Sequence, residues 1–498
     1  MEINLLSPQV ELHNVILGPE TLESRKGFVS KLDIEDVGVL TPRSGSGGTQ
    51  TNFIFGFSCE SANTGHVFHY LFTKDNNNIL FQSVYDEEFN CLAYVEVGPL
   101  TTDLEPFSYA INYNQIIVNS SSMPYPLWGF IGGTLVRADK KPSINPDTPA
   151  LTLFPGRVCS FADRFVWAYE NQIIVNDPGT EPRTICAPNA VSFGGTILDL
   201  FQSGEGGNLI VVCTDATYQI PPDSLAGYQL QGFVAKTPGY QGVQSNNAAS
   251  SRGAVVGLVK DGIIDIGTFQ KRNLTSYRKT RKNAKRVGPY SSGDYRVGSI
   301  LPMEEGFIVS ISNKSCFIDL DTGKISWLYS DNIYDLGIIG VLKDKDGKDF
   351  FLTKTRVFDY IGNSDIVNSP TVGTPDPTIY DINVCHLLVN VPTSPDLSPV
   401  IREITASCDR PGTVITTYLR NSQQTATVPT PPYAENIIGT DVWSSSNTLT
   451  EKEMRSRRMQ RAVRIDSPDF ELSFDRSCKI DNKVNIISKG IGRNRPSN

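Results

Sequence analysis

From about residue 28 to 360 the chain alternates short apolar runs with Gly, Asn, Asp and Pro, and helical periodicity is nearly absent. Runs at 52–58, 66–73, 79–84, 92–97 and 115–118 have the length and β-branched or aromatic content of strands, and the residues between them are turn formers. Two regularities suggest repetition. The hexapeptide Asn-Gln-Ile-Ile-Val-Asn occurs at 114–119 and again at 171–176, with Phe107-Ser-Tyr-Ala110 ahead of one copy and Phe165-Val-Trp-Ala168 ahead of the other. A looser strand–turn–strand pattern links 209–220, 307–318 and 350–360: an apolar run, a polar two-residue turn, then a second run. A four-stranded blade with its loops takes roughly 40–60 residues, so this stretch predicts an all-β chain with a β-propeller of about six blades.

Beyond the strand-rich region the pattern changes. Pro370, Pro375, Pro377, Pro392, Pro395 and Pro399 cluster with Gly, Ser and Thr, which predicts a linker or a long edge crossing. Further runs at 400–407, 413–419, 462–465 and 470–474 predict a C-terminal β-sandwich domain. The expected organisation is an N-terminal segment at 1–27, a propeller at 28–365, the Pro-rich linker at 366–399, the sandwich at 400–488 and a flexible tail at 489–498. One stretch, 450–463, reads either as a capped helix, from Thr450-Glu-Lys-Glu453 and its i,i+4 Glu/Arg pairs, or as an exposed charged strand.

Composition narrows the function classes. Of the residues, 39% are hydrophobic and 20% charged, with 41 Gly and 31 Pro, a globular composition rich in turns. The net charge of −8 excludes nucleic-acid binding driven by bulk charge, so any such contact has to be local. Nine cysteines lie scattered without a CxxC pair, mostly inside apolar runs, and read as buried reduced thiols. No secretory signal opens the chain, and no apolar run approaches the roughly 20 residues that span a bilayer. Synthesis in a reducing cytoplasm is the expectation.

The densest charge lies at Lys271, Arg272, Arg278, Lys279, Arg281, Lys282, Lys285 and Arg286, with Tyr277 among them and Tyr290 beyond. Basic residues interleaved with aromatics on a loop suit phosphate contact, docking on an acidic neighbour, or plain solvation. A second cluster, Arg455, Arg457, Arg458, Arg461 and Arg464, is spread over several faces and reads as partner docking. Of the four histidines, His66 and His69 fall on opposite faces of one strand, poor geometry for a shared metal. Asp344-Lys-Asp346-Gly347 lacks the spacing of a calcium loop and suits a hairpin turn. No pattern for a nucleophile, phosphate loop, metal or cofactor emerges, so the expectation is no catalytic residues, no cofactor and no metal.

The segment Arg164-Phe-Val-Trp-Ala-Tyr-Glu-Asn-Gln-Ile-Ile-Val-Asn-Asp-Pro178, followed by Gly204-Glu-Gly-Gly-Asn-Leu-Ile-Val-Val-Cys-Thr-Asp-Ala-Thr-Tyr-Gln-Ile220, resembles the propeller repeats of tail nozzle proteins. These belong to the tail tips of short-tailed bacteriophages and are also described as packaged-DNA stabilisation or tail tubular proteins. Met123-Pro-Tyr-Pro-Leu-Trp-Gly129 is similar to one variety of that family's turn, and the arginine-rich segment at 455–464 followed by a hairpin at 470–480 is similar to its C-terminal end. The resemblance covers about residues 100–480 and leaves out the first hundred. It implies a structural virion protein of the tail, forming a homo-hexamer below the tail adaptor, beside tail fibre or needle proteins. Packaged double-stranded DNA would be held back by that channel and pass through it at ejection. The net negative charge suits a wall that repels phosphates. The alternative is a propeller that binds proteins or glycans outside any virion, and a third class is a propeller hydrolase or lyase.

Overall fold

A computed structural model describes, with breaks, residues 2–37, 50–137, 156–175, 190–237, 248–273 and 299–367, and beyond them the backbone of strands between 378 and 492. Five four-stranded antiparallel sheets follow one another along the chain, and a sixth set of four antiparallel strands opens a larger, nine-stranded sheet. Their first strands are Gln50–Glu60, Ser108–Asn112, Arg157–Phe161, Ile197–Gln202, Ala248–Ser251 and Ser299–Pro302, and the sheets are called blades 1 to 6 in that order. A closing sheet comes next, built from Gly340–Lys343, Asp349–Leu352 and Arg356–Tyr360, with its fourth strand, Phe28–Asp33, supplied from near the N-terminus and two more, Ser364–Val367 and Thr378–Asp381, beyond it. The all-β β-propeller is thus present, with six consecutive blades and one composite sheet that joins the two ends of the ring.

Apolar seams run around the ring. Ile116 and Val118 of blade 2 pack with Phe57 and Tyr70 of blade 1, and Val158, Phe165 and Trp167 of blade 3 pack with Ile117 and Trp128 of blade 2. Leu209 and Val211 of blade 4 pack with Val166 and Ile173 of blade 3. Val256 joins Phe307 across blades 5 and 6, Ile308 joins Phe351 and Phe358 across blade 6 and the closing sheet, and Leu342 and Leu352 join Phe53 and Leu71 across the last seam. A blade is covered on both faces by its neighbours, so its middle strands are apolar without alternation. Every residue of Gln115–Asn119 is buried, which explains why the hexapeptide reads as a continuous apolar run.

The hexapeptide does not mark equivalent blade positions. Its first copy is the second strand of blade 2, and its second copy is the third strand of blade 3, Gln172–Val175. What repeats is a hairpin: a strand, a two-residue turn ending in Asn, and the Gln-Ile-Ile-Val strand. At Tyr113-Asn114 both turn residues have positive φ (46° and 63°), the backbone that matches the twist of a tight hairpin. By contrast, the looser pattern falls in register. Leu209–Cys213, Gly306–Ile311 and Asp349–Leu352 are all second strands, and each pairs with the third strand of its own sheet.

The ring is latched where its ends meet. Arg25, 1% exposed, makes two hydrogen bonds to the Asp365 carboxylate (2.8 and 2.7 Å), one to Asn14 Oδ1 (2.9 Å) and one to the Lys26 carbonyl (2.8 Å). The Phe28 amide donates to the same carboxylate at 3.0 Å, and the guanidinium lies 4.6 Å over the Phe28 ring. Both charges are therefore buried with their hydrogen-bonding capacity engaged.

The terminal regions depart from the expected boundaries. Residues 1–27 are not a separate segment. Val10–His13 pairs in parallel with Ile325–Leu328 of blade 6 and antiparallel with Cys385–Asn390, so blade 6 continues into Asp469–Phe474, Val414–Leu419 and Ser422–Thr427 as one nine-stranded sheet. Glu2–Asn4 pairs with Lys483–Gly492, which in turn pairs with Leu397–Ser407 and Ser444–Asn447 beyond it, giving the second C-terminal sheet. The Pro-rich stretch contains the strands Thr378–Asp381 and Cys385–Asn390, and Pro399 falls inside Leu397–Ser407, opposite Gly490. Likewise Lys483–Gly492 crosses the expected start of the tail, since Leu397–Ser407 pairs along it as far as Gly492, with one register shift between Ile401 and Glu403. The stretch 450–463 lies outside the described residues.

Candidate functional site

Nothing in a propeller's sheets does chemistry by default, so the site has to be sought on the inner strands, at the seams and on the rims. The first strand of each blade is the innermost: those of blades 2 to 6 neighbour one another in succession, and that of the closing sheet neighbours that of blade 1. Their outer peptide groups diverge from the next blade and cannot form a ladder with it. Serine hydroxyls fill that need. Ser160 of blade 3 accepts the Ile111 amide (2.9 Å) and donates to the Ile111 carbonyl (2.6 Å) of blade 2. Ser108 accepts the Val158 amide (2.9 Å), Ser251 donates to the Met303 carbonyl (2.6 Å), and Ser299 donates to the Ile338 carbonyl (3.0 Å). A short side chain with one donor and two lone pairs suits this task where two strands come close.

Charge is sparse on the innermost strands. Gln50–Glu60, Ser108–Asn112, Arg157–Phe161, Ile197–Gln202, Ala248–Ser251, Ser299–Pro302 and Gly340–Lys343 carry Glu60, Arg157, Asp199 and Lys343, two of each sign. Arg157 and Asp199 lie 3.9 Å apart across a seam, and Arg157 also donates to the Phe107 carbonyl at 3.3 Å. A repulsive acidic wall, as expected from net charge, is therefore not a property of these strands. The excess negative charge lies on other parts of the chain.

Between blade 1 and the closing sheet sits a different cluster. His69 is fully buried, stacked on Phe89 with ring centroids 4.5 Å apart, and its Nδ1 lies 2.8 Å from Ser58 Oγ. Ser58 accepts the Lys343 amide at 2.9 Å. Burial holds the imidazole well below its usual range, at about 4, and the carboxylates of Asp344, Asp86 and Glu87 pull the other way. His66, three residues earlier, faces out with its Nδ1 3.7 Å from Glu87. His66 stands just before the strand Val67–Asp75 and is exposed, whereas His69 lies within that strand and is buried. Asp344 builds a turn: its Oδ1 accepts the amides of Asp346 (2.9 Å) and Lys348 (2.8 Å), and Gly347 takes φ +77°. No cluster of metal-ligating side chains is found among the described residues.

The predicted basic residues are only in part described. Lys271 and Arg272 belong to the strand Lys271–Asn273, the outer strand of blade 5, and not to a loop, because the backbone pairs with Gly262–Asp265. Arg278, Lys279, Arg281, Lys282, Lys285 and Arg286 lie outside the described residues, as do Arg455, Arg457, Arg458, Arg461 and Arg464. Two aromatics that sequence reasoning passed over are exposed at one end of blade 2: Tyr113 (60% exposed) in its first turn and Phe130 (51%) at the end of Leu127–Phe130. The Ile131 amide donates to the Asn114 carbonyl at 3.0 Å, which keeps these two segments together. An apolar residue at a tight-turn position, where polar ones are usual, was the available signal.

No family model and no curated protein matches this chain. Among solved structures, YCF48 from Cyanidioschyzon merolae is 11% identical with a TM-score of 0.35, covering 62% of this chain and 95% of its own. A structure of the mitotic checkpoint complex matches at 8% identity and a TM-score of 0.37, covering 65% of this chain and 100% of that one. The dihydro-heme d1 dehydrogenase NirN in complex with DHE matches at 11% identity and a TM-score of 0.34, covering 66% of this chain and 78% of its own. Likenesses this distant assign no role, and the fold rests on the chain's own sheets.

Proposed function

We propose that this chain is a structural virion protein, a tail nozzle subunit that assembles as a homo-hexamer below a tail adaptor and forms the channel through which packaged DNA leaves. The observation that carries the reading is the continuous nine-stranded sheet from blade 6 through Val10–His13 into the C-terminal strands. A chain whose last domain shares a sheet with its propeller transmits force between them through backbone hydrogen bonds instead of through a flexible linker. The resemblance of 164–178 and 204–220 to nozzle repeats supports the same reading. In this account the duplex passes between copies, and the weakly charged inner strands of each propeller serve the ring's cohesion. The basic residues at 271–286 touch DNA or dock the adaptor, and those at 455–464 dock a neighbour. The test is gold-labelled antibody against the chain applied to virus particles from its source. Label at the tail tip is expected. Label confined to particle-free cell fractions contradicts the proposal.

The second reading, a protein- or glycan-binding propeller outside a virion, is favoured by one observation: Tyr113 and Phe130 stand exposed together, and exposed aromatic faces stack on sugars and peptides. A glycan array separates the two readings, since micromolar binding lost on Tyr113→Ala supports this one alone.

A further inference from the structure

His69 lies where the ring closes, touching three elements. Its own strand, Val67–Asp75, is the second of blade 1, Ser58 is on the innermost strand of blade 1, and Lys343 ends the innermost strand of the closing sheet. Because Ser58 Oγ accepts the Lys343 amide, the hydroxyl hydrogen is available to His69 Nδ1. In the neutral tautomer with hydrogen on Nε2, that hydroxyl donates to Nδ1. Nε2 is buried and has no hydrogen-bond partner among the described residues. Phe89 covers one face of the ring, and Phe350 of the closing sheet meets it edge-on at 6.0 Å. A protonated ring in this place is a buried charge whose desolvation outweighs the help of the nearby carboxylates and of the Glu87 backbone, and Nδ1 ceases to accept from Ser58.

The other titratable and charged groups around it are already engaged. Glu87 accepts the Val67 amide (3.1 Å) and pairs with Lys345 (3.4 Å) and His66 (3.7 Å). Asp344 is held by the two turn amides, and Asp86 accepts the Asn90 amide at 2.8 Å. Lys343 Nζ lies 3.8 Å from Asp349, and the Tyr85 phenol, opposite His69 in the strand register, is pushed up by burial. These carboxylates lower the cost of an imidazolium without hydrogen-bonding it.

We propose that His69 makes the seam between blade 1 and the closing sheet an acid-sensitive latch, closed while the ring is neutral and opened by its protonation. The sign follows from linkage. A histidine with a folded value below its unfolded value binds fewer protons in the closed state, so its contribution is intact above the unfolded value, about 6.5, and declines as pH falls toward 4. Across that window the opening equilibrium rises by at most about tenfold per pH unit.

Hydrogen exchange of the full chain from pH 7 to pH 5, corrected for the chemical rate, tests this. Peptides covering Gln50–Glu60 and Gly340–Lys343 should open by about twentyfold in total from pH 7 to pH 5, while the seam formed by Ser108–Asn112 and Arg157–Phe161 stays protected. The slope should vanish in His69→Gln and persist in His66→Gln. Equal opening at both seams, or an unchanged slope in His69→Gln, overturns the proposal. If His69→Gln does not fold, the imidazole titration of the native chain by NMR decides: a midpoint near 6.5 with no seam opening overturns it.

Discussion

Ser160 shows how much of the ring's cohesion rests on single hydroxyls. It is at once acceptor and donor to the two backbone groups of Ile111, which have no strand to pair with on that side. Ser160→Ala leaves both unsatisfied at a seam and should cost about 1–3 kcal/mol, read as a lower urea midpoint at unchanged slope. Arg25 is a stronger case. Arg25→Met leaves Asp365 buried with one amide for company, and a loss of about 3–5 kcal/mol is expected, part of which returns in Arg25→Met with Asp365→Leu. The thiols make a third prediction. Burial pushes Cys59 and Cys213 up to about 12 and raises Cys159 and Cys316 as well, so these four should resist Ellman's reagent at pH 8 until denaturant is added. Rapid native reaction of all four would contradict their placement. These residue roles were only partly legible in the sequence. A cysteine inside an apolar run announces its burial, whereas a serine on a short strand gives no sign of bridging to a strand fifty residues away.

At the scale of elements, strand existence was legible and strand partnership much less so. The runs at 79–84 and 115–118 coincide with Ile79–Tyr85 and Gln115–Asn119, because apolar residues bounded by turn formers report local backbone preference directly. The identical hexapeptide, the more conspicuous repeat, reported a hairpin and not a blade. The degenerate one at 209–220, 307–318 and 350–360 carried the blade register, since a second and third strand meet the same two neighbours in every sheet. Pairing between distant segments left no local trace. Nothing in Val10-Glu-Leu-His13 tells of Ile325–Leu328 or Cys385–Asn390, which lie more than three hundred residues on. That strand is the weld between propeller and C-terminal sheets. Leu12→Pro removes a ladder donor at its centre and should release the C-terminal strands to hydrogen exchange while blades 2 to 4 stay protected. Uniform protection in that variant would show that the C-terminal sheets are held by other means.

For the whole molecule, the separation of charge from the axis is the informative feature. The chain carries −8, yet its innermost strands carry two charges of each sign. A single propeller therefore does not present the acidic bore that bulk charge suggests, and any DNA channel has to be lined by surfaces that several copies bring together. The composition could not reveal this, because net charge sums over positions without regard to where folding sends them. The nozzle reading thus stands or falls with assembly. Native mass spectrometry of the purified full chain, alone and with its tail adaptor, is the most direct measurement: the account predicts a six-copy ring, and a chain that remains monomeric in both conditions would contradict it.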